Sequence, residues 1–214
     1  MTQQLTILPN GLRILTDEVP TVESVAIGAW VDVGTRNEDL SDNGVAHMVE
    51  HMLFNGTNAR SAKDIVQQIE NVGGQMNAYT SRENTAYFIH LLKEDTELAM
   101  DVISDMVQDS IFPDKEIEKE RDVIIQEIGM CADTPDDVVF DLYQETAYPK
   151  QSLGAPILGT ADIIQKIGKS TLDNYIQNFY TAENIVVSAS GNIKHDKIVK
   201  LAEKYFTNLP TKQK

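Results

Sequence analysis

The 214-residue chain has little cysteine and little positive charge, and each shortage excludes a class of structure or ligand. Cys131 is the only cysteine, so no disulfide can form within the chain, and a reducing compartment is expected. Eighteen basic residues against 33 acidic ones give a net charge of −15, which repels phosphate backbones and anionic lipid and attracts basic peptides. The composition therefore argues against nucleic-acid binding.

Long apolar runs and sorting signals are also absent from the sequence. No uncharged apolar stretch approaches the roughly 18 residues of a membrane span, and residues 1–12 carry neither an export signal nor an Arg-rich transit pattern. There is no Gly-rich phosphate loop, no repeat of fixed period and no low-complexity segment, which argues against nucleotide-binding loops and solenoids. We therefore expect a bacterial cytoplasmic protein, with the mitochondrial matrix as the alternative.

The residues that are present predict one globular domain over residues 1–214 with an α+β fold, in which helices pack on a mainly antiparallel sheet. Alternating apolar residues predict strands at 5–8, 12–15, 24–33, 75–80, 85–92 and 184–190. Helical spacing and capping residues predict helices at 44–54, 61–73, 94–111, 113–133, 136–148, 170–180 and 196–209.

The segment 47–51, with the sequence HMVEH, carries the strongest chemical signal. His47 and His51 are one helical turn apart, so both imidazoles lie on one side of the helix and can bind one ion. Two imidazoles and one carboxylate, with a fourth position left to water, form a catalytic zinc site. Glu50 can reach the water without being a ligand, which makes it the candidate general base.

The competing interpretation is that two structural histidines happen to share a helix face. In a chain with four histidines, an accidental H-x-x-E-H pattern has a probability on the order of one in a hundred. The other two, His90 in a predicted strand and His195 at a predicted helix start, are expected to be structural. The pattern therefore favours the metal site.

Several stretches of the chain resemble one known family. H-x-x-E-H is the inverted zinc motif of the inverzincins, and the chain resembles the pitrilysin-type metallopeptidases, most of all the mitochondrial processing peptidase β-subunit and its bacterial relatives. The resemblance runs from residue 9 to the end and is carried by residues 10–13, 47–57, 77–83 and 120–127. It implies a zinc-dependent endopeptidase that forms one half of a clamshell built from two homologous halves.

The resemblance also implies roles for two glutamates. Glu127 follows His51 by 76 residues, the interval at which the family places its third zinc ligand. Glu120 is then a carboxylate that orients a histidine ligand by binding the ring nitrogen that does not face the metal. Their spacing of seven residues puts both on the same side of one helix. Without the resemblance, Glu120 would be taken as a solvated helix charge.

Two further pairs are substrate-binding candidates by the same resemblance. Asn77 and Ala78 match the edge-strand segment that holds an extended substrate by main-chain pairing. Asp137 and Asp141 are one helical turn apart, where like charges repel unless a cation lies between them. The resemblance implies that this pair binds a substrate arginine, and the open alternative is an ordinary acidic helix start.

One half of a two-part chamber needs a second half. We expect the chain to pair with itself, with a partner subunit that lacks the motif, or with a missing C-terminal domain, and residues 211–214 resemble the start of a linker to such a domain. The alternative function is a non-catalytic or partner-dependent subunit of a processing-peptidase-like complex, although such members usually lose motif residues. The expected substrates are extended peptides with basic residues.

Overall fold

A computed structural model describes residues 2–211, so residues 212–214 of the predicted linker lie outside the described part of the chain. Its strands are β1 (Thr2–Ile7), β2 (Arg13–Glu18), β3 (Ser24–Val31), β4 (Gln75–Thr80), β5 (Thr85–Leu92) and β6 (Ile185–Gly191). Its α-helices are α1 (Val45–Leu53), α2 (Ala62–Glu70), α3 (Thr96–Asp109), α4 (Asp114–Ala132), α5 (Pro135–Ala147), α6 (Ala161–Ile164), α7 (Lys169–Phe179) and α8 (His195–Tyr205).

The six strands form one sheet in the order β1-β2-β6-β3-β5-β4. All neighbouring pairs are antiparallel except β2 and β6, which run parallel. The prediction of a mainly antiparallel sheet with helices packed on it is therefore confirmed. The parallel pair could not be predicted, because the alternation of Ile185, Val187 and Ala189 shows that β6 has a buried face but not which strand lies beside it.

The helices cover one face of the sheet. The apolar residues of that face are aligned across the strands, as in the row of Ile14, Val187, Ala29 and Tyr87, and they belong to one connected buried cluster. On the opposite face Leu5, Leu15, Tyr79 and Leu92 are exposed.

The ends of several elements differ from the sequence predictions. β3 ends at Val31 rather than at residue 33, and α8 ends at Tyr205 rather than at residue 209. The short helix α6 was not predicted, because four residues are too few to show a helical period. The predicted start of the helix at residue 61 is confirmed, since the side chains of Ser61 and Asp64 accept hydrogen bonds from each other's backbone N–H and form a capping box at the start of α2.

Two helices matter most for the chemistry. One side of α1 is buried in the core, namely Val45, Ala46, Met48, Val49, Met52 and Leu53. α4 lies against it and is anchored by Ile117 and Ile124, the two residues of α4 that are buried. Within residues 2–211 no helix combines the length and apolar character needed to cross a bilayer.

Candidate metal centre

The helix α1 presents His47, Glu50 and His51 on the side opposite its buried residues. All three side chains are partly exposed, whereas Met48 and Met52 between and beside them are fully buried. The apolar positions fix the rotation of the helix about its axis, and the three polar residues then face α4 and β4. The predicted placement of the motif on one helix face is confirmed.

The start of α1 is fixed by a glycine and by a carboxylate from the preceding loop. Gly44, which precedes the helix, has φ of 97°, and a Cβ there would lie 2.7 Å from Ile164 Cδ1 and 2.9 Å from the carbonyl oxygen of Leu158, so only glycine fits. The carboxylate of Glu38 accepts hydrogen bonds from the Gly44 N–H at 2.9 Å and the Ala46 N–H at 2.7 Å. Glu38 is thus the N-terminal cap of the helix that carries the motif.

The opposite wall of the site comes from α4. Glu120 and Glu127 each follow a buried isoleucine of this helix by three positions, so both carboxylates reach the same side and face α1. Glu120 Oε2 accepts a hydrogen bond from His51 Nδ1 at 2.9 Å, and its Oε1 accepts one from Asn55 Nδ2 at 3.1 Å. Glu120 is therefore fixed at both oxygens and is not a free helix charge.

The predicted ligands converge on one point. Glu127 Oε2 lies 3.8 Å from His47 Nε2 and 3.7 Å from His51 Nε2. The two imidazole rings have their centroids 4.6 Å apart. One ligand atom from each of His47, His51 and Glu127 lies within 4.8 Å of the other two. The structure thus brings together three residues that the sequence separates by up to 80 positions.

The protonation of the two histidines differs. Burial lowers the pKa of His47 to about 4, which leaves a neutral ring with a lone pair at neutral pH. Burial also opposes a proton on His51, but the hydrogen bond to Glu120 and the charges of Glu127 and Glu50 outweigh it and raise its pKa. The Nδ1–H of His51 is committed to Glu120, so its Nε2 is the nitrogen available to a metal.

Glu50 lies at the edge of this cluster. Burial raises its pKa, the neighbouring Thr80 and the charge of His51 offset this only in part, and the charge of Glu127 adds to it. Its Oε2 is buried, and no residue within 2–211 supplies it with a hydrogen bond. A carboxylate with a raised pKa and an unused oxygen is suited to accept a proton.

These residues fit a zinc ion on their own chemistry. Two imidazole nitrogens and one carboxylate oxygen are ligands that zinc prefers at catalytic sites. Their separations of 3.7 and 3.8 Å are close to the roughly 3.3 Å between neighbouring ligands of a tetrahedral zinc site. Glu120 behind His51 supplies the carboxylate that commonly orients a histidine ligand.

The candidate substrate-binding residues lie around the same centre. β4 is one of the two outer strands of the sheet, and among residues 2–211 it pairs with β5 alone, so no described strand covers its other edge. The Asn77 side chain accepts a hydrogen bond from the Ala78 N–H at 2.8 Å and thereby covers this edge. Asn77 and Ala78 line a cavity of about 350 Å³ together with Glu50 and His51.

On the other side of Glu50 a second cavity, of about 400 Å³, separates α1 and β4 from α5; we call it the α5 cleft. It is lined by His47, Glu50, Ala78, Tyr79, Thr80, Cys131, Asp137, Phe140, Asp141, Ile157 and Leu158. Asp137 and Asp141 thus line the same cavity as His47 and Glu50. Asp141 Oδ1 also accepts a hydrogen bond from Arg82 Nη2 at 2.9 Å.

Sequence reasoning missed four residues that shape this centre: Glu38, Asn55, Thr80 and Arg82. Glu38 caps a helix from a preceding loop, and no spacing rule connects such a residue with the helix it caps. The other three, Asn55, Thr80 and Arg82, lie in the stretches 47–57 and 77–83 that carry the family resemblance, which was the one available signal. A position in a matching stretch does not show what a side chain contacts.

Comparison with known proteins gives the family. Residues 13–161, which contain His47, His51 and Glu127, match the family described as Insulinase (Peptidase family M16). Residues 166–214 match the family described as Peptidase M16 inactive domain. The first match covers more than half of the chain.

Individual relatives agree with this assignment. The chain is 42% identical over 205 residues to the uncharacterized zinc protease YmxG of Bacillus subtilis. The alignment includes 96% of this chain and 50% of YmxG. The chain is 43% identical over 203 residues to the mitochondrial-processing peptidase subunit beta of Saccharomyces cerevisiae. That alignment includes 95% of this chain and 44% of the yeast protein. A crystal structure of a protease from Helicobacter pylori matches with a TM-score of 0.94 at 23% identity, over 100% of this chain and 52% of the other, and this likeness shows the fold.

The chain spans about half the length of the curated relatives it matches. The predicted resemblance to pitrilysin-type peptidases and to the processing peptidase β-subunit is confirmed by these relatives, of which YmxG is named a zinc protease. The chain belongs to the insulinase family, Peptidase family M16.

Proposed function

We propose that this chain is the catalytic half of a zinc-dependent endopeptidase that cleaves extended peptides with basic residues. The observation that carries the proposal is the convergence of His47, His51 and Glu127 within 4.8 Å, beside Glu50, whose buried Oε2 has no hydrogen-bond partner within residues 2–211. The three residues would hold one zinc ion per chain. Residues 1–214 would act as one catalytic unit, since both family matches fold onto a single sheet.

Zinc at this position would polarise the scissile carbonyl and acidify a water molecule. Glu50 then acts as the general base, takes a proton from the attacking water and delivers it to the leaving amine. Its raised pKa suits both steps, because a base with a pKa nearer to neutral can return the proton. Glu120 holds the His51 ring in the orientation that directs Nε2 toward Glu127.

The open edge of β4 would bind the peptide backbone, with Asn77 and Ala78 pairing with the substrate in an extended conformation. The Asn77 side chain would leave the Ala78 N–H as the substrate strand arrives. Asp137 and Asp141 in the α5 cleft would bind a basic side chain of the substrate. The net charge of −15 would draw basic peptides toward the chain over longer distances.

A second homologous half would complete the chamber, as a second copy, a partner subunit or a C-terminal domain. Support comes from the share of about half of each relative that the chain covers. The exposed apolar side chains of α5, Val139, Phe140, Leu142 and Tyr143, give further support, because an isolated helix face of this kind is unfavourable in water. We expect the chain alone to bind zinc and to cleave poorly, in a reducing compartment such as a bacterial cytoplasm.

Zinc binding by α4 variants tests the proposal. Glu127→Gln removes a proposed ligand, while Glu118→Gln removes an exposed carboxylate from the same helix and serves as the matched control. Zinc affinity, measured by chelator competition, is expected to fall at least about a hundredfold in the first variant and to stay unchanged in the second. Wild-type zinc affinity in Glu127→Gln would exclude this site.

Peptide hydrolysis separates the catalytic proposal from a non-catalytic subunit. The zinc-loaded chain is assayed on a basic peptide, alone and with the C-terminal half of a bacterial relative. Hydrolysis in either state supports the peptidase. A chain that joins the second half but neither binds zinc nor hydrolyses the peptide would be a non-catalytic subunit.

A further inference from the structure

Arg82 contacts Asp141 at the α5 cleft, and the proposed mechanism assigns it no role. It lies in the turn between β4 and β5, two residues after Thr80, which lines the α5 cleft beside Glu50. The turn is held firmly, because Thr35 N–H bonds the carbonyl oxygen of Ser81 and Arg36 N–H bonds that of Arg82. Arg82 therefore reaches toward α5 from a fixed base.

The contact that Arg82 makes is a single-point contact. Its Nη2 donates to Asp141 Oδ1 at 2.9 Å, and its buried Nε has no hydrogen-bond partner within residues 2–211. A two-point Arg–carboxylate contact is common in proteins, and the single hydrogen bond here engages only one oxygen of Asp141. The side chain of Asp141 is 47% exposed and lines the α5 cleft.

The second acid of the pair has no such neighbour. Asp137 is exposed at the cleft, and the described residues form no ion pair with it. Arg82 thus cancels one of the two negative charges that Asp137 and Asp141 would together offer to a cation. The side chain of Arg82 is 19% exposed, so solvent screens this cancellation only in part.

Resting on the proposed function, we propose that Arg82 is a specificity-determining residue that reduces the charge of the Asp137–Asp141 site and so limits its affinity for a basic substrate side chain. With Arg82 in place the pair carries about one net negative charge and holds a basic residue weakly enough for release. Without Arg82 the pair carries two negative charges and binds the same residue more tightly.

Peptide binding to the Glu50→Gln chain tests this, because that change is expected to block hydrolysis during the measurement. The probes are two fluorescent extended peptides that differ at one position, arginine in one and its neutral isostere citrulline in the other. Arg82→Gln is expected to raise the affinity for the arginine peptide roughly three- to tenfold and to leave the citrulline peptide unchanged. Asp141→Asn is expected to lower the affinity for the arginine peptide, because it removes one of the two acidic charges of the site.

Arg36→Gln is the matched control, because Arg36 is bonded through its backbone to the same turn but pairs with Glu83. It removes the same charge without freeing Asp141 and is expected to leave both affinities unchanged. An equal gain in Arg36→Gln would assign the effect to total charge and overturn the inference.

The two remaining outcomes separate failure of the inference from failure of the proposed function. Weaker binding of both peptides by Arg82→Gln would show that the contact between Arg82 and Asp141 is structural and holds α5 in place. That result would overturn the inference but not the proposed function. Absence of binding of either peptide by every variant, with zinc present, would overturn the inference together with the proposed peptide-binding function.

Discussion

His51 Nδ1 donates a hydrogen bond of 2.9 Å to Glu120 Oε2, and this contact fixes which ring nitrogen of His51 faces Glu127. Asn55 holds the other oxygen of Glu120, so the carboxylate cannot swing away from the ring. A histidine ligand that is oriented in this way binds metal more tightly than one that must be ordered first. The relationship joins α1 and α4 directly behind the proposed ligands.

Glu120→Ala is therefore expected to weaken zinc affinity by about 10- to 100-fold without removing a ligand. Chelator competition measures the affinity, and Glu118→Ala on the same helix is the control that should leave it unchanged. Equal affinities in the two variants would show that His51 needs no support from Glu120.

Gly44→Ala is expected to destabilise the fold by about 2–4 kcal/mol, because it combines a positive φ with a clash against Ile164 and Leu158. Gly73→Ala is the control: its φ is 73°, but no atom lies within 4 Å of the added Cβ, so it is expected to cost only about 1 kcal/mol. Urea unfolding of both variants measures the difference. Similar losses at the two positions would contradict the close packing at the start of α1.

Glu38 predicts a pH dependence of stability. Burial raises its pKa from 4.5 to about 7, and the hydrogen bonds from Ala46, Gly44 and Asn43 offset this only in part. Between pH 4.5 and 7 the folded chain keeps this proton while the unfolded chain has released it. Raising the pH through this window therefore removes stability, and above the window the contribution is constant.

The comparison with Glu38→Gln isolates this effect, because the other titrating groups cancel in the difference. The free energy of unfolding of the wild type relative to this variant is expected to fall by roughly 2–3 kcal/mol between pH 4.5 and 7.5. Asp39→Asn is the control, since hydrogen bonds from Ser41 lower the pKa of exposed Asp39 and keep it ionised across the window. A flat difference for Glu38→Gln would mean that this carboxylate titrates as in water.

The sequence was most informative where the chemistry is local. The placement of His47, Glu50 and His51 on one face follows from helical period alone, and the fold class followed from periodicity and turn residues. Convergence with Glu127 could be predicted only through the family resemblance, because nothing in local sequence says that α4 lies against α1. The cap by Glu38 comes from a loop whose path no local pattern predicts, and the contact between Arg82 and Asp141 joins residues that are distant in sequence, so both required the structure.

Glu50→Gln tests the central claim most directly, by zinc content and peptide hydrolysis measured on the same preparation. Hydrolysis is measured in whichever state, chain alone or chain with a second half, gives the faster wild-type rate. The account predicts wild-type zinc content with a rate reduced at least about a thousandfold, since the base is lost and the proposed ligands remain. A variant that keeps full activity, or one that loses its zinc, would contradict the assignment of Glu50 as the general base.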